Sequence, residues 1–267
     1  MHPMLNTAIK AARSAGAIIL RNIDRIDTLT IKTKSRNDFV SEVDRQVEAE
    51  IINLLKTAYP DHGFLGEESG TQASDSPFQW VIDPLDGTTN FLYGIPHYSV
   101  SIALRHNNHF EQAVIYDPFK DEMFTASRGS GAQLNGRKIR VTAARSLEGA
   151  LLGTGIPFRE DQDLDLYLKT LAALIPGTAG IRRAGSAALD LAYVAAGRLD
   201  GFWEFGVHKW DIAAGILLVQ EAGGLVGDPY GGLDHYQSGN ILCGGPRVYK
   251  GMLERLRNIS ELRAAQG

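Results

Sequence analysis

A short apolar run that ends in two aspartates constrains this chain more than any other segment. The run is Trp80 to Ile82, and Asp83 and Asp86 follow it on either side of Pro84. Consecutive apolar residues predict a buried strand, and a proline, which has no N–H for the ladder, predicts that the strand stops there. Both carboxylates would then lie at one rim. Two such charges 4 Å apart repel by about 4 kcal/mol at an effective dielectric of 20, so the pattern predicts a divalent cation between them.

The residues that follow the second aspartate favour a phosphate. Gly87 lets the backbone approach a ligand closely, and the sequence Gly-Thr-Thr-Asn-Phe at 87–91 predicts the first turn of a helix. The first amides of a helix have no partner within the helix and attract anions. Carboxylates followed at once by such amides are typical of Mg²⁺ bound to a phosphate ester, because Mg²⁺ prefers oxygen ligands.

Further acidic residues occur where turns or helix starts are predicted. Glu67 and Glu68 follow an apolar segment, Asp211 comes directly after Trp210, and Asp44 falls in the first turn of a predicted helix. Each of them is a candidate ligand for the same cation site. An acidic residue at a helix start is most often only a cap, so Asp44 and Asp211 keep both interpretations at this stage.

The two halves of the chain differ in their pattern of predicted elements. Helical spacing over about 5–22 and again from 43 to 54 predicts two amphipathic helices, and four segments between 78 and 129 predict an antiparallel meander of strands. After about 145, predicted strands alternate with helices, and a last helix is predicted from about 246 to 263. The fold class is therefore α+β in residues 1–145 and α/β in residues 146–267, with both halves packed as one body.

Composition argues against several classes of function. The chain has 267 residues and a formal net charge of −4, which gives no electrostatic reason to expect direct binding to nucleic acid or to a membrane. The single cysteine, Cys243, cannot form an internal disulfide and suits a reducing compartment. No apolar stretch is long enough to cross a bilayer. We therefore expect a cytoplasmic protein in which Cys243 is a core thiol.

Other polar motifs have simple explanations. His106 and His109 flank a predicted hairpin turn, and the acidic stretch 161–165 predicts a solvated helix start rather than a calcium loop. The two arginines at 182–183 are expected to make local ion pairs or a subunit contact. Trp203 and Phe205 are expected in the core or at an interface. No second site is predicted.

Three motifs together are similar to those of a known family. Gly-Glu-Glu-Ser at 66–69, the segment from Trp80 to Phe91, and Trp-Asp-Ile-Ala-Ala-Gly at 210–215 occur in this order and at these separations in the inositol monophosphatase family. The resemblance covers essentially the whole chain. Residues 184–204 resemble the family's bacterial inositol-1-monophosphatase branch. The resemblance implies the layered αβαβα sandwich of inositol monophosphatases and sugar phosphatases.

The resemblance also implies which residues hold cations. A first Mg²⁺ is expected on Glu67, Asp83 and the backbone carbonyl of Leu85, and a second on Asp83, Asp86 and Asp211. A third, more weakly bound ion is expected beside Glu67.

Catalytic and substrate-binding roles follow from the same resemblance. Thr88, hydrogen-bonded to Asp44, is expected to orient the attacking water, and the amides of Gly87 and Thr88 are expected to bind the phosphate. Asp86 is also expected to contact the hydroxyl next to the ester. The residues expected to face the inositol hydroxyls are Gly185, Ser186, Ala187 and Glu204.

The activity implied is Mg²⁺-dependent hydrolysis of a myo-inositol monophosphate, in which a metal-activated water attacks phosphorus in line. A broader phosphatase of sugar, polyol or nucleotide phosphates is the alternative within the enzyme class. A protein-partner role in transcription antitermination is the alternative outside it, because the bacterial branch includes such proteins. The family further implies a homodimer, inhibition by Li⁺, and a mobile loop around Ile31 to Asp38 that closes over the metals.

Overall fold

The polypeptide begins with two long helices and a hairpin between them. A computed structural model of the chain describes residues 2–23, 31–35, 38–157, 159 and 162–259. The first elements are α1 (Pro3–Asn22), β1 (Ile31–Ser35), β2 (Asp38–Ser41) and α2 (Glu42–Ala58). β1 and β2 pair antiparallel, so the segment predicted as a loop forms a hairpin, with residues 36–37 outside the described ranges. Its mobility and its closure over the metals stay predictions.

Eight strands form the larger sheet, and a short helix follows the third of them. In chain order the elements are β3 (Gly63–Gly66), β4 (Gly70–Gln72), β5 (Phe78–Asp86), α3 (Thr88–Leu92), β6 (Ser99–His106), β7 (His109–Asp117), β8 (Glu122–Ser127), β9 (Gly131–Leu134) and β10 (Arg137–Lys138). The strand order is β10-β9-β8-β7-β6-β5-β3-β4. β3 and β5 run parallel, and the other neighbours run antiparallel. The predicted four-strand antiparallel meander is confirmed as β5 to β8, and the structure extends it with β9 and β10.

The second half alternates strands and helices, as predicted. Its elements are β11 (Leu151–Thr154), α4 (Leu164–Leu174), β12 (Gly180–Arg182), α5 (Ala187–Ala195), β13 (Gly201–Glu204), α6 (Lys209–Glu221), β14 (Leu225–Gly227), α7 (His235–Ser238), β15 (Ile241–Gly244) and α8 (Pro246–Leu256). The strand order is β12-β11-β13-β15-β14. β11 is parallel to both of its neighbours, and β15 is antiparallel to both of its own.

Alternating side chains divide the core into three parts and the molecule into five layers. On β5, Trp80 and Ile82 pack against α1 and α2, whereas Val81 packs against α5 and α6 on the other face of the sheet. On β13, Phe202 faces α5 and α6, and Trp203 faces the outer layer of α4 and α8. Successive residues of a strand point to opposite faces, so this alternation follows from the strand period of two. The order helix, sheet, helix, sheet, helix confirms the predicted αβαβα sandwich.

Strand β5 differs from the predicted strand in one respect that shapes the cleft. β5 does not end before Pro84 but continues to Asp86, and its pairing with β6 shifts between Asp83, opposite Ser101, and Asp86, opposite Ser99. Three residue steps on β5 thus face two residue steps on β6, so β5 contains a β-bulge. A strand tolerates proline at such a bulge. Residues three apart on a regular strand point to opposite faces. The extra residue brings both carboxylates to the same face.

The last helix is shorter than predicted. α8 ends at Leu256, whereas the sequence predicted a helix to about 263, and residues 260–263 lie outside the described ranges. The division of the chain between residues 145 and 146 stays a prediction. Among the described residues, no helix is both long and apolar enough to cross a bilayer.

The simple explanations for isolated motifs agree with the structure. Cys243 is fully buried, and burial raises the pKa of its thiol. Asp163 in the acidic stretch caps α4 by accepting a hydrogen bond from the Leu166 amide at 2.8 Å. His106 and His109 face each other across the turn between β6 and β7.

The middle layer gives a test of the packing. A Cβ atom at Gly215 of α6 would lie 2.5 Å from Leu191 Cβ on α5. Alanine in place of a helical glycine ordinarily stabilises a protein by about 0.5–1 kcal/mol. We expect Gly215→Ala instead to lower the free energy of unfolding by about 1–3 kcal/mol, because the two helices must separate. Urea denaturation followed by circular dichroism measures the change.

Gly251→Ala in α8 is the matched control. There the nearest atom to an added Cβ would be Leu147 Cγ at 3.2 Å, a side-chain atom that needs to shift by only a few tenths of an ångström. We expect this variant to be as stable as the parent or more stable. Equal stabilisation by both substitutions would contradict the packing described for α5 and α6.

Candidate active site

One cleft lies where the ends of β5, β11 and β13 meet the N-termini of α3, α5 and α6. Of the residues singled out from the sequence as candidate site residues, all but Asp44 and Glu68 line it. Those that line it are Glu67, Asp83, Leu85, Asp86, Gly87, Thr88, Gly185, Ser186, Ala187, Glu204 and Asp211. Asp44 lies behind the cleft wall, where it contacts Thr88. Residues far apart in the sequence therefore meet at one place.

Asp86 connects the two halves of the chain. Its Oδ2 accepts hydrogen bonds from Ser186 Oγ at 2.6 Å and from the Ala188 amide at 2.7 Å, both at the start of α5. Burial raises the pKa of Asp86 to about 6, although these two hydrogen bonds favour its ionised form and limit the rise. The side chain thus holds the end of β5 against α5.

Asp83 is buried and Asp211 is half-buried, and both lie close to other carboxylates. Asp211 Oδ2 accepts a hydrogen bond from the His208 amide at 2.7 Å, so Asp211 caps α6 and also lines the cleft. Asp83 Oδ1 accepts one from the Leu85 amide at 3.1 Å. Burial, followed by the charges of neighbouring carboxylates including Glu67, raises the pKa of Asp83 well above its usual range. Burial also raises the pKa of Asp211 well above its usual range, and the charges of Asp86 and Glu67 add to the rise.

Thr88 links the cleft to α2. Its Oγ1 lies 2.9 Å from Asp44 Oδ1 and 3.0 Å from the Leu85 carbonyl oxygen, and Asp44 itself is buried. A hydroxyl has one hydrogen to donate and two lone pairs that accept. When that hydrogen points to Asp44, the lone pairs of Thr88 are left for a donor in the cleft. Asp44 therefore contacts a residue of the cleft in addition to lying in the first turn of its own helix.

The turn before α3 fits only glycine. Gly87 has φ 95°, and a Cβ atom there would lie 2.9 Å from the His97 carbonyl oxygen. Asn90, in α3, donates through Nδ2 to the carbonyl oxygens of His97 at 2.8 Å and of Ala184 at 2.9 Å. These bonds connect α3 to the segment that precedes α5. The first amides of the two helices are therefore held in a fixed position relative to each other.

The opposite wall holds a second group of charges, part of which the sequence reasoning missed. Burial raises the pKa of Glu204 to about 7, the charge of Asp86 adds to the rise, and the cations Arg183 and Arg159 oppose it. Asp190 also lines the cleft, and burial raises its pKa well above its usual range. Arg183 was expected in a local ion pair or subunit contact, and Asp190 was not considered. In the sequence, Asp190 is distinguished only as an acidic residue near a helix start. That position is as typical of a helix cap as of a functional residue.

The donors that meet in the cleft suit a hard divalent cation. One oxygen of Asp83 and one of Asp211 accept no hydrogen bond from the described part of the chain. Mg²⁺ prefers such oxygen donors. As the side chains stand, no three Asp, Glu, His or Cys residues in the described ranges are arranged to hold a metal ion. Like charges repel, and a divalent cation would offset that repulsion and draw the carboxylates together.

The chain belongs to the inositol monophosphatase family, whose family model matches residues 1–261. Nus factor SuhB of Pseudomonas aeruginosa is 53% identical over 262 residues, which are 96% of this chain and 97% of that protein. The crystal structure of extragenic suppressor protein suhB from Bartonella henselae matches with a TM-score of 0.94 and 45% identity, covering 97% of this chain and 100% of that one. Inositol monophosphatase from Anabaena matches with a TM-score of 0.85 and 36% identity, covering 96% and 97%. The predicted family and the predicted fold are both confirmed.

The electrostatics of the cleft predict how stability changes with pH when divalent cations are removed. A carboxyl group whose pKa is raised by folding favours the folded state while protonated, and this contribution is lost as the pH rises through the raised pKa. For Glu204 the window runs from about 4 to about 7. At pH 8 in a chelating buffer, we expect Glu204→Gln to raise the free energy of unfolding by about 2–4 kcal/mol. Urea titrations at several pH values measure the difference.

Glu254→Gln, at an exposed position of α8, is the control and should not change stability at any pH. Below pH 4 the Glu204→Gln difference should vanish, because the glutamate is then protonated in both states. A variant that is no more stable than the parent at pH 8 would show that Glu204 does not carry the buried charge described above.

Proposed function

We propose that this chain is a Mg²⁺-dependent phosphatase that hydrolyses a myo-inositol monophosphate to inositol and phosphate. The observation that supports this best is the bulge in β5. It turns Asp83 and Asp86 to one face, where Glu67 and Asp211 line the same cleft. The N-terminus of α3 lies beside these carboxylates, so groups suited to cations and groups suited to a phosphate adjoin each other.

The carboxylates divide into two sets of ligands. Glu67, Asp83 and the Leu85 carbonyl would hold the first cation, and Asp83, Asp86 and Asp211 the second, with Glu67 also beside a third and weaker site. Mg²⁺ bound there would lower the pKa of water and offset negative charge on the phosphoryl oxygens. Asp83 belongs to both sets, and its burial between them agrees with that position.

The remaining residues orient the reactants. Thr88, whose hydrogen can go to Asp44, would accept a hydrogen bond from the attacking water and so direct its lone pair toward phosphorus. The amides of Gly87 and Thr88 would bind phosphate oxygens. Glu204 and the segment from Gly185 to Ala187 line the far wall, where they would face the hydroxyls of the polyol. Asp86 would contact the hydroxyl next to the ester.

Two further properties belong to the same proposal. Li⁺ would inhibit the enzyme by occupying the second cation site after the product forms. The protein would act as a homodimer in the cytoplasm, as the family resemblance implies.

Phosphate release from inositol 1-phosphate tests the activity directly. We expect turnover that depends on Mg²⁺ and falls by more than about 100-fold in Asp86→Asn, because the variant removes a proposed cation ligand. Both hydrogen bonds to Asp86 go to Oδ2, and one asparagine oxygen can accept both, so the variant should keep its fold. Asp165→Asn, at an exposed position of α4, is the matched control.

Substrate range is settled in the same assay. Fructose 1,6-bisphosphate and a nucleotide phosphate are compared with inositol 1-phosphate. A kcat/KM well above that for inositol 1-phosphate would replace the proposed substrate with a sugar or nucleotide phosphate. Turnover that is unaffected by Asp86→Asn would remove the cleft from the mechanism altogether.

We also propose a role in transcription antitermination through protein partners. The observation that favours it is the name of the relatives: Nus factor SuhB from Pseudomonas aeruginosa and from Escherichia coli are 53% and 52% identical to this chain over nearly their whole length. The net charge of −4 argues for contact with a protein rather than with RNA directly.

A pull-down from bacterial lysate separates this role from catalysis. We expect tagged parent protein and Asp86→Asn to retain the same transcription proteins at stringent salt, because Asp86 lies in a cleft and the fold is unchanged. Mass spectrometry identifies the bound proteins. Loss of every transcription protein with both baits would remove the partner role. Loss with Asp86→Asn alone would make the partner role depend on the cleft.

A further inference from the structure

A buried glutamate on α2 contacts the turn that carries Glu67. Glu48 is only 2% exposed, and it lies four residues after Asp44, on the same face of the helix. Glu48 Oε2 accepts a hydrogen bond from the Glu68 amide, and Oε1 accepts one from the Ser69 amide, each at 2.8 Å. Both oxygens of one carboxylate thus engage two consecutive amides of the turn that follows β3.

The same turn is held from its other side. The Glu67 amide donates to the Ile82 carbonyl oxygen of β5 at 3.2 Å. Gly66 pairs with Ile82 across β3–β5 and with Gly70 across β3–β4. Three successive amides, those of residues 67, 68 and 69, are therefore all engaged. The backbone of Glu67 cannot shift without breaking at least one of these bonds.

The chain leaves room for this contact by means of a glycine. A Cβ atom at Gly66 would lie 2.6 Å from Glu48 Cδ and 2.6 Å from Oε2. The carboxylate therefore reaches the two amides by passing directly over the Gly66 backbone. The Glu48 carboxylate and the Gly66 backbone therefore pack directly against each other next to Glu67.

Stability alone is a poor explanation for a carboxylate at this position. Val47 and Ile51 on the same side of α2 are fully buried, and an apolar side chain at 48 would continue that face. Burying a charged group is costly unless hydrogen bonds compensate it, and within the described part of the chain the compensating bonds come from the turn that presents Glu67. The contact therefore holds the turn of Glu67, a proposed cation ligand, rather than stabilising α2.

We propose that Glu48 is a positioning residue that holds Glu67 in the orientation needed to bind the first cation. This inference rests on the proposed function of the cleft. Groups that orient a metal ligand from behind typically contribute 10–100-fold to metal affinity or activity. The effect of Glu48 should therefore be seen first in the affinity for Mg²⁺.

Glu48→Gln tests the inference. The glutamine amide oxygen can still accept one hydrogen bond, but its NH₂ group would face the second amide N–H, so the turn loses one support and meets a repelling donor. We expect isothermal titration calorimetry to show Mg²⁺ binding weakened by about 10–100-fold. The Mg²⁺ concentration for half-maximal phosphate release should rise by the same factor, with a smaller loss of kcat at saturating Mg²⁺.

Glu50→Gln is the matched control on the same helix. Glu50 Oε1 accepts a hydrogen bond from Ser14 Oγ at 2.7 Å, on α1, and does not line the cleft. We expect its Mg²⁺ affinity and its half-activating Mg²⁺ concentration to equal those of the parent. Gly66→Ala serves as a second variant if Glu48→Gln does not fold, because the added methyl displaces the same carboxylate.

The outcomes separate the two hypotheses. Weaker Mg²⁺ binding in Glu48→Gln but not in Glu50→Gln supports the inference. Unchanged Mg²⁺ affinity with a lower melting temperature would overturn it and make Glu48 purely structural. A parent protein that neither binds Mg²⁺ nor releases phosphate would overturn the proposed function itself, and the inference with it.

Discussion

Repulsion between acidic side chains has to be offset wherever several of them meet in a buried cleft. In this protein part of the offset comes from amide and hydroxyl donors placed behind Asp83, Asp86 and Asp211. Asp86 takes two donors from the start of α5, and Asp211 takes one from the start of α6. The pKa values of these aspartates are nevertheless raised, because burial outweighs the hydrogen bonds. The protein scaffold thus stabilises part of the charge, and a bound cation would offset the rest.

The layered fold explains why those donors are available. α6 is apolar on all sides because it lies between the two sheets, and its first turn reaches the cleft with Asp211. α5 packs against α6 so closely that Gly215 cannot carry a side chain. Two helix N-termini from the second half of the chain are therefore fixed against the bulge of β5 from the first half. The cleft depends on the packing of the middle layer as much as on its own residues.

Local sequence patterns were sufficient for most of the elements. The meander, the alternating second half and the turn after Gly87 follow from strand and helix periods and from glycine and proline positions. The bulge at Pro84 could not be predicted from the sequence. A proline predicts the end of a strand, and only the register with the neighbouring strand shows that β5 continues. The length of α8 was overestimated because the apolar spacing in the sequence continues beyond the last residue of the helix, Leu256.

The site was predictable to the extent that its residues lie in recognisable motifs. Asp83, Asp86 and Asp211 come from contiguous segments with distinctive spacing, whereas Asp190 and Glu48 lie within ordinary helices. A carboxylate in a helix is usually a cap or a solvated charge, and only the tertiary contacts show that these two face the cleft or its supporting turn. Sequence periodicity specifies which face of a helix is buried. It does not specify what that face will meet.

The polar residues on the buried face of α2 illustrate the balance between stability and function. Asp44 and Glu48 interrupt an otherwise apolar face that includes Val43, Val47 and Ile51. Replacing buried charges by well-packed apolar groups is often neutral or stabilising in proteins. A helix selected for stability alone would carry an apolar residue at position 48, where the charge lies beyond the first turn. Since their hydrogen bonds go to Thr88 and to the turn of Glu67, the two carboxylates are better explained by the geometry of the cleft than by the stability of the fold.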